Sequence, residues 1–90
     1  MLKISLSTQF KKDMKKAKAR GLPQDEMKVV VDKIAGGQPL EEKYCDHPLF
    51  GKLDLFRECH IRPDWLLIYR ILLKEQMLFL FRTGTHSDLY

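Results

Sequence analysis

The period of the hydrophobic pattern changes once along the chain, and that change limits the fold more than any other feature. In the first third, apolar residues recur at helical spacing. Phe10, Met14 and Ala17 fall at i, i+4 and i+7, and Met27, Val30, Val31 and Ile34 at i, i+3, i+4 and i+7. From Leu53 onward the pattern is that of strands. Leu53, Leu55, Cys59 and Ile61 share one face, and Phe56, Glu58, His60 and Arg62 share the other. Leu66 to Leu73 is apolar on both faces, as a central strand is, and Met77 to Arg82 repeats that character.

Punctuation residues mark the boundaries. Leu2, Ile4 and Leu6 alternate with Lys3 and Ser5, giving a short first strand, and Ser7 or Thr8 can cap the helix behind it. Gly21 closes that helix, Pro23 with Asp25 and Glu26 opens the next, and Gly36, Gly37 and Pro39 stop it. The short Gly21-Leu22 link predicts an antiparallel helix hairpin. Residues 38–52 are irregular, Pro63-Asp64 and Lys74-Glu75-Gln76 are turns, and Thr83-Gly84-Thr85 ends the last strand before a terminal turn at His86–Tyr90. The expected fold is therefore α+β. An N-terminal strand and a two-helix hairpin precede a three-stranded antiparallel meander, with the helices on one face of a twisted antiparallel sheet. At 90 residues this is one domain, 1–90.

Charge and cysteine content narrow the function. Residues 1–20 carry Lys3, Lys11, Lys12, Lys15, Lys16, Lys18 and Arg20 against the single acid Asp13. Such a patch suits a phosphate backbone or an acidic protein, and is equally the solvated face of a helix. Cys45 and Cys59 form no CxxC pair and no signal peptide precedes the first strand, so a reducing cytoplasm with both thiols free is expected. The longest apolar stretch, Trp65 to Leu73, is far too short to cross a membrane.

All three histidines, His47, His60 and His86, lie in the second half, at places where regular structure breaks. In a meander, the strands ending at His60 and at Arg82 run parallel with one strand between them, so His60, Asp64, Arg82 and His86 can converge at one edge. This set suits RNA cleavage. The substrate's 2′-hydroxyl is the nucleophile, imidazoles take and give protons near neutral pH, and a guanidinium steadies the phosphate. Plainer readings stand beside this one. His60 can be a half-buried strand residue, Asp64 a turn cap, Trp65 a core anchor, and Arg82 a partner for Glu58 across strands. Ser87 and Cys59 lack a base-and-orienter arrangement. The histidines, 13 and 26 residues apart, match no standard zinc pattern, so neither metal nor cofactor is expected.

Three segments together resemble the YafQ branch of the RelE toxin superfamily: Asp46-His47-Pro48-Leu49, Arg57 through Tyr69 (RECHIRPDWLLIY), and Arg82 through Tyr90 (RTGTHSDLY). The resemblance spans the chain in element order and is strongest from residue 46. It implies an endoribonuclease toxin of a type II toxin–antitoxin pair that enters the ribosome and cuts mRNA without a metal. It also implies a cognate antitoxin, which neutralises the toxin in a hetero-oligomeric complex and alone gives access to operator DNA. By position it makes His47, His60, Asp64, Arg82 and His86 functional. His86 is then the general acid and Arg82 the phosphate stabiliser, with the base open among His60, Asp64 and His47. Tyr90 stands where the family usually has Phe, and Lys11, Lys12, Lys15 and Lys16 become a ribosome-docking surface. The chain departs from the pattern after Gly51, where Leu53 and Asp54 replace an aromatic and a basic residue. The competing function is a non-catalytic RNA- or protein-binding module on the same fold.

Overall fold

A computed structural model describes residues 1–90. The chain runs β1 (Lys3–Leu6), α1 (Thr8–Ala19), α2 (Gln24–Ala35), β2 (His47–Pro48), β3 (Arg57–Arg62), β4 (Trp65–Leu72), β5 (Met77–Gly84) and α3 (His86–Leu89), with single 3-10 turns at Glu42–Tyr44 and Gly51–Leu53. Ser7 caps α1, its hydroxyl accepting from the Phe10 amide at 2.9 Å. Gly21, at φ +78, makes the left-handed turn into α2.

The five strands form one sheet in the order β1-β5-β4-β3-β2. The meander β3-β4-β5 is antiparallel, as the pattern predicts. Two features of the sheet differ from the expectation. First, β1 pairs with β5 in parallel, from Lys3↔Met77 to Leu6↔Leu80, so the sheet is mixed. The helix hairpin carries the chain across one face, and β1 takes the only free edge of β5; its direction is not written in its alternation. Second, His47 and Pro48 form a two-residue edge strand against β3. Proline, which lacks an N–H, is tolerated on such an edge.

Both helices bury their stripes on one sheet face. Phe10 and Ala17 of α1 and Met27, Val30, Val31, Ile34 and Ala35 of α2 meet Cys59, Ile61, Trp65, Leu67, Tyr69, Leu78 and Leu80. Met14 is only half-buried at the rim, while Asp13 beside it is buried. Trp65 is the core anchor at 1% exposure, and truncating it to Ala should cost about 3–5 kcal/mol. The exposed part of the sheet is shaped by two bulges. The β3–β4 register skips Ile61, directly after His60, and the β4–β5 register skips Phe81, directly before Arg82. An extra residue of this kind re-aims the side chains next to it.

Candidate active site

Pairing across strands explains how distant histidines meet. His47, Glu58, Ile68 and Arg82 occupy one row across β2, β3, β4 and β5, and His60, Leu66 and Gly84 occupy the next. Glu58 faces His47 across the strand pair, and His60 lies two residues beyond Glu58 on the same face. As a result, His47 Nε2 and His60 Nε2 stand 3.4 and 3.6 Å from the same Glu58 oxygen, Oε1. The Tyr90 hydroxyl donates to the other oxygen, Oε2. Burial first, and then this carboxylate, push the Tyr90 phenol up to about 12.

His86 enters from the other side. It opens α3, and its ring lies 5.7 Å from that of His60, edge to face. Asp64, in the β3–β4 turn, accepts both the His86 amide at 2.9 Å and the His86 Nδ1 proton at 2.6 Å. The amide first and the imidazole second hold the Asp64 carboxyl below its ordinary range. With Nδ1 committed to Asp64, His86 presents Nε2 outward.

α3 is pinned by Asp88. Its carboxylate accepts from the Thr85 amide while the Thr85 hydroxyl accepts from the Asp88 amide, a reciprocal cap. The same carboxylate binds Arg20 at 2.6 Å and Lys16 at 3.2 Å. Arg20 first, then the Thr85 amide, drive the Asp88 carboxyl far below the usual carboxylate range. Gly84 makes this possible: a Cβ there would meet the Asp88 Cβ at 2.9 Å.

The meander predicts that Arg82 converges with His60, Asp64 and His86, but it is held by α1 instead, and the plainer pairing with Glu58 does not form either. The Arg82 Nε and Nη2 lie 2.7 and 3.4 Å from the two oxygens of Asp13 in α1. β1 ends opposite Leu80, so the Thr83 amide has no strand partner and donates to Asp13 instead, at 3.1 Å. Burial pushes the Asp13 carboxyl up, but the Arg82, Gln9 and Thr83 hydrogen bonds outweigh it and leave the pKa lowered. Arg82, Lys12, Lys16 and Arg20 line a cleft of about 190 Å³ beside α1. Lys11 and Lys15 are exposed on the same helix.

The structure thus gathers His47, His60, Asp64, His86 and Tyr90, and sets Arg82 against α1. It adds three residues that the sequence reading missed. Glu58 was marked only by sitting two residues before His60. Asp13 was marked by being an acid inside an apolar stripe. Asp46, which accepts from the Tyr69 hydroxyl at 2.6 Å and from Arg57 Nη2 at 3.1 Å, anchors the chain just before His47; in the sequence it stood only as the first residue of the Asp46-His47-Pro48-Leu49 segment.

Residues 2–90 match the family model described as the bacterial toxin of the type II toxin–antitoxin system, YafQ. The chain belongs to the YafQ toxin family. An mRNA interferase toxin YafQ from Escherichia coli (strain K12) is 38% identical over 88 residues, covering 97% of this chain and 94% of the relative. The crystal structure of a metal-bound toxin from Helicobacter pylori superposes with a TM-score of 0.95 at 48% identity, over the whole of both chains. YafQ in the E. coli DinJ-YafQ toxin-antitoxin complex gives 0.88 at 36% identity, covering 99% of this chain and 97% of that one. The YafQ-like fold and toxin class expected from the three sequence segments are therefore met. No helix of this YafQ-family chain is long and apolar enough to cross a membrane.

Proposed function

We propose that the protein is a ribosome-dependent endoribonuclease that cleaves mRNA by acid–base catalysis without a metal, and so arrests translation. The observation that carries this reading is a pair of imidazoles facing each other at 5.7 Å, each backed by its own carboxylate: His60 by Glu58, and His86 by Asp64. One imidazole takes the 2′-proton. The 2′-oxygen attacks the phosphorus and forms a cyclic phosphate. The other imidazole protonates the departing 5′-oxygen. Asp64 fixes the His86 tautomer so that Nε2 is free to act, which suits His86 to the acid role. It also moves Asp64 from candidate base to positioning residue. His60, with Glu58 behind it, takes the base role, and His47 supports the same carboxylate.

Arg82 supplies positive charge four residues before His86, held in place by Asp13. The cleft it shares with Lys12, Lys16 and Arg20 accepts the phosphate backbone, and Lys11 and Lys15 extend that surface towards ribosomal RNA. Tyr90 lies against the site and meets the message. A cognate antitoxin neutralises the toxin by covering this region; that an antitoxin binds at all is supported by the DinJ-YafQ toxin-antitoxin complex of a relative. Operator DNA is reached only through that antitoxin, and the toxin acts in the cytoplasm.

The test is to incubate the purified protein with programmed ribosomes and map the message ends. New ends within the codon in the ribosomal A site, absent with His86→Ala, support the enzyme. Ribosome occupancy with intact message means a binding module instead.

A further inference from the structure

We infer that the open face of the sheet, beyond the histidines, is a platform for single-stranded RNA: Phe79 and Phe81 stack bases that flank the cut, and Arg70 takes a phosphate beside them. That the strand is message rests on the function proposed above; that the face binds RNA does not.

Arg70 stands apart from the other arginines. The chain has five. Arg20, Arg57, Arg62 and Arg82 are each held by an aspartate or a glutamate. Arg70, half-buried in the central strand β4, has neither an ion pair nor a side-chain hydrogen bond. A partly desolvated charge is normally paired within the fold. One left free on a sheet face is matched from outside the chain.

Strand register sets what surrounds it. Leu67 and Tyr69 belong to the helix-side core, so Arg70 faces the other way. Across the strand pair it stands opposite Phe79. Leu78 and Leu80, on either side of Phe79, also belong to the helix-side core, which turns Phe79 to the open face. Phe81 is the extra residue of the β5 bulge. Its ring lies 6.1 Å from that of Phe79 and 4.8 Å from that of Phe56, which meets it across β4 from just before β3. The Ser7 hydroxyl donates to the Phe81 carbonyl at 2.6 Å and fixes the bulge. The three half-buried rings form one row. Both long helices pack on the opposite face, and α3 follows Gly84 at the histidine end of β5. Lys3, opposite Met77 in β1, adds a second cation without a carboxylate partner.

Aromatic faces for bases beside cations for the backbone are the means by which proteins hold single strands. Every base has a π-face, so such a platform positions a strand without reading its sequence. RNA is favoured over a protein occupant because the row runs directly into the place where a phosphate is cut. Arg70 is four residues along β4 from Leu66, the partner of His60. At strand rise that is about 13 Å. The distance is too long for the scissile phosphate and suits the nucleotides next to it.

The experiment uses the full chain carrying His86→Ala, which keeps RNA intact, and a short oligouridine containing one 2-aminopurine. Anisotropy across a salt series reads affinity, and 2-aminopurine quenching reads stacking. Arg70→Gln should weaken binding and flatten the slope of log affinity against log salt by about 0.7, the value for one phosphate on a single strand. Phe79→Leu should weaken binding about 5-fold or more and reduce quenching, with the salt slope unchanged. Phe79→Trp should keep both near wild type. Urea unfolding checks that each variant is folded. With His86 restored, Arg70→Gln and Phe79→Leu should raise the ribosome concentration for half-maximal cleavage about 5-fold and leave the maximal rate unchanged. An unchanged slope in Arg70→Gln, unchanged quenching in Phe79→Leu, or failure of Phe79→Trp to bind would each overturn the proposal. So would RNA binding untouched by every variant while a co-expressed antitoxin no longer co-purifies, which would give the face to a protein. RNA bound with these signatures but never cut on ribosomes by the wild-type chain would sink the nuclease reading and leave the platform standing.

Discussion

Asp13 and Asp64 each hold one basic side chain, at almost the same distance, in opposite surroundings. Asp13 meets Arg82 at 2.7 Å with side chains 8% and 28% exposed. Asp64 meets His86 at 2.6 Å with side chains 65% and 55% exposed. Distance alone would rank the two pairs as equals. Burial separates them. The Asp13 pair also satisfies the Thr83 amide and joins α1 to β5, so it is architecture. The Asp64 pair lies open to water, adds little to stability, and leaves the His86 ring exposed, as the acid role proposed for it requires. On the function proposed above, the fold anchors the guanidinium and exposes the imidazole.

The largest effect should come from the exposed side of this comparison. His86→Ala should lower ribosome-dependent cleavage about 10²–10⁴-fold while changing stability by less than about 0.5 kcal/mol. Both are read on the same preparation, by message-end mapping and by urea unfolding. A variant that cut normally, or one that lost activity only because it unfolded, would break the division between architecture and chemistry.

The buried side should show the reverse. Asp13→Ala leaves Arg82 and the Thr83 amide unpaired and should cost about 3 kcal/mol, the low end for a broken buried pair because Arg82 keeps some contact with water. The pH dependence has a definite sign. The Asp13 carboxyl is held below its ordinary value, so its contribution is complete above about pH 4 and is lost as pH falls through the lowered folded value. The stability gap between wild type and Asp13→Asn should therefore shrink in acid. A gap that stayed constant down to pH 2 would show that the pair is not what Asp13 contributes.

These two carboxylates also show what the sequence could and could not reveal. The two helix stripes, the meander and the turn at Pro63-Asp64 follow from spacing and punctuation, because 3.6-residue and two-residue periods are local properties. Asp64 and His86 sit at a turn and past a strand end, where polar residues stand out. Asp13 and Glu58 were hidden for the opposite reason. Each occupies a position in an element whose local pattern is satisfied without it, and each gains its meaning from a partner 69 or 11 residues away. The parallel docking of β1 and the two-residue β2 were invisible on the same ground, since an edge strand's partner and direction are long-range choices. The meander topology brought His60, Asp64 and His86 to one edge, and the resemblance to a known family added His47 and the roles, but neither supplied Glu58, the carboxylate shared by His47 and His60.

A middle-sized effect should separate position from chemistry at the exposed pair. Asp64→Asn keeps an acceptor for the His86 amide but no longer selects the Nδ1–H tautomer. Cleavage should fall about 10–100-fold, less than in His86→Ala, with the pH profile shifted and stability within about 0.5 kcal/mol of wild type. Loss equal to that of His86→Ala would mean that Asp64 itself transfers a proton, and the base assignment would return to it.

The smallest effect concerns Tyr90, which belongs to neither side cleanly. Tyr90 as a residue is 67% exposed, yet its hydroxyl donates to Glu58, whose side chain is only 7% exposed. Tyr90→Phe removes the donor and leaves Oε2 to whatever water can enter from the open mouth. Water replaces much of the lost bond there, so the cost should be about 1 kcal/mol or less. The phenol gives an independent reading of the same contact. Its pKa is pushed up to about 12, so the protonated form is the one the fold favours, and its contribution is present at neutral pH and fades as pH rises past the ordinary tyrosine value towards 12. In an ultraviolet titration, the tyrosinate signal missing from Tyr90→Phe should be the part that appears near 12. A missing component near 10 would mean that the hydroxyl stands free in solution, and that Glu58 is oriented by the two imidazoles alone.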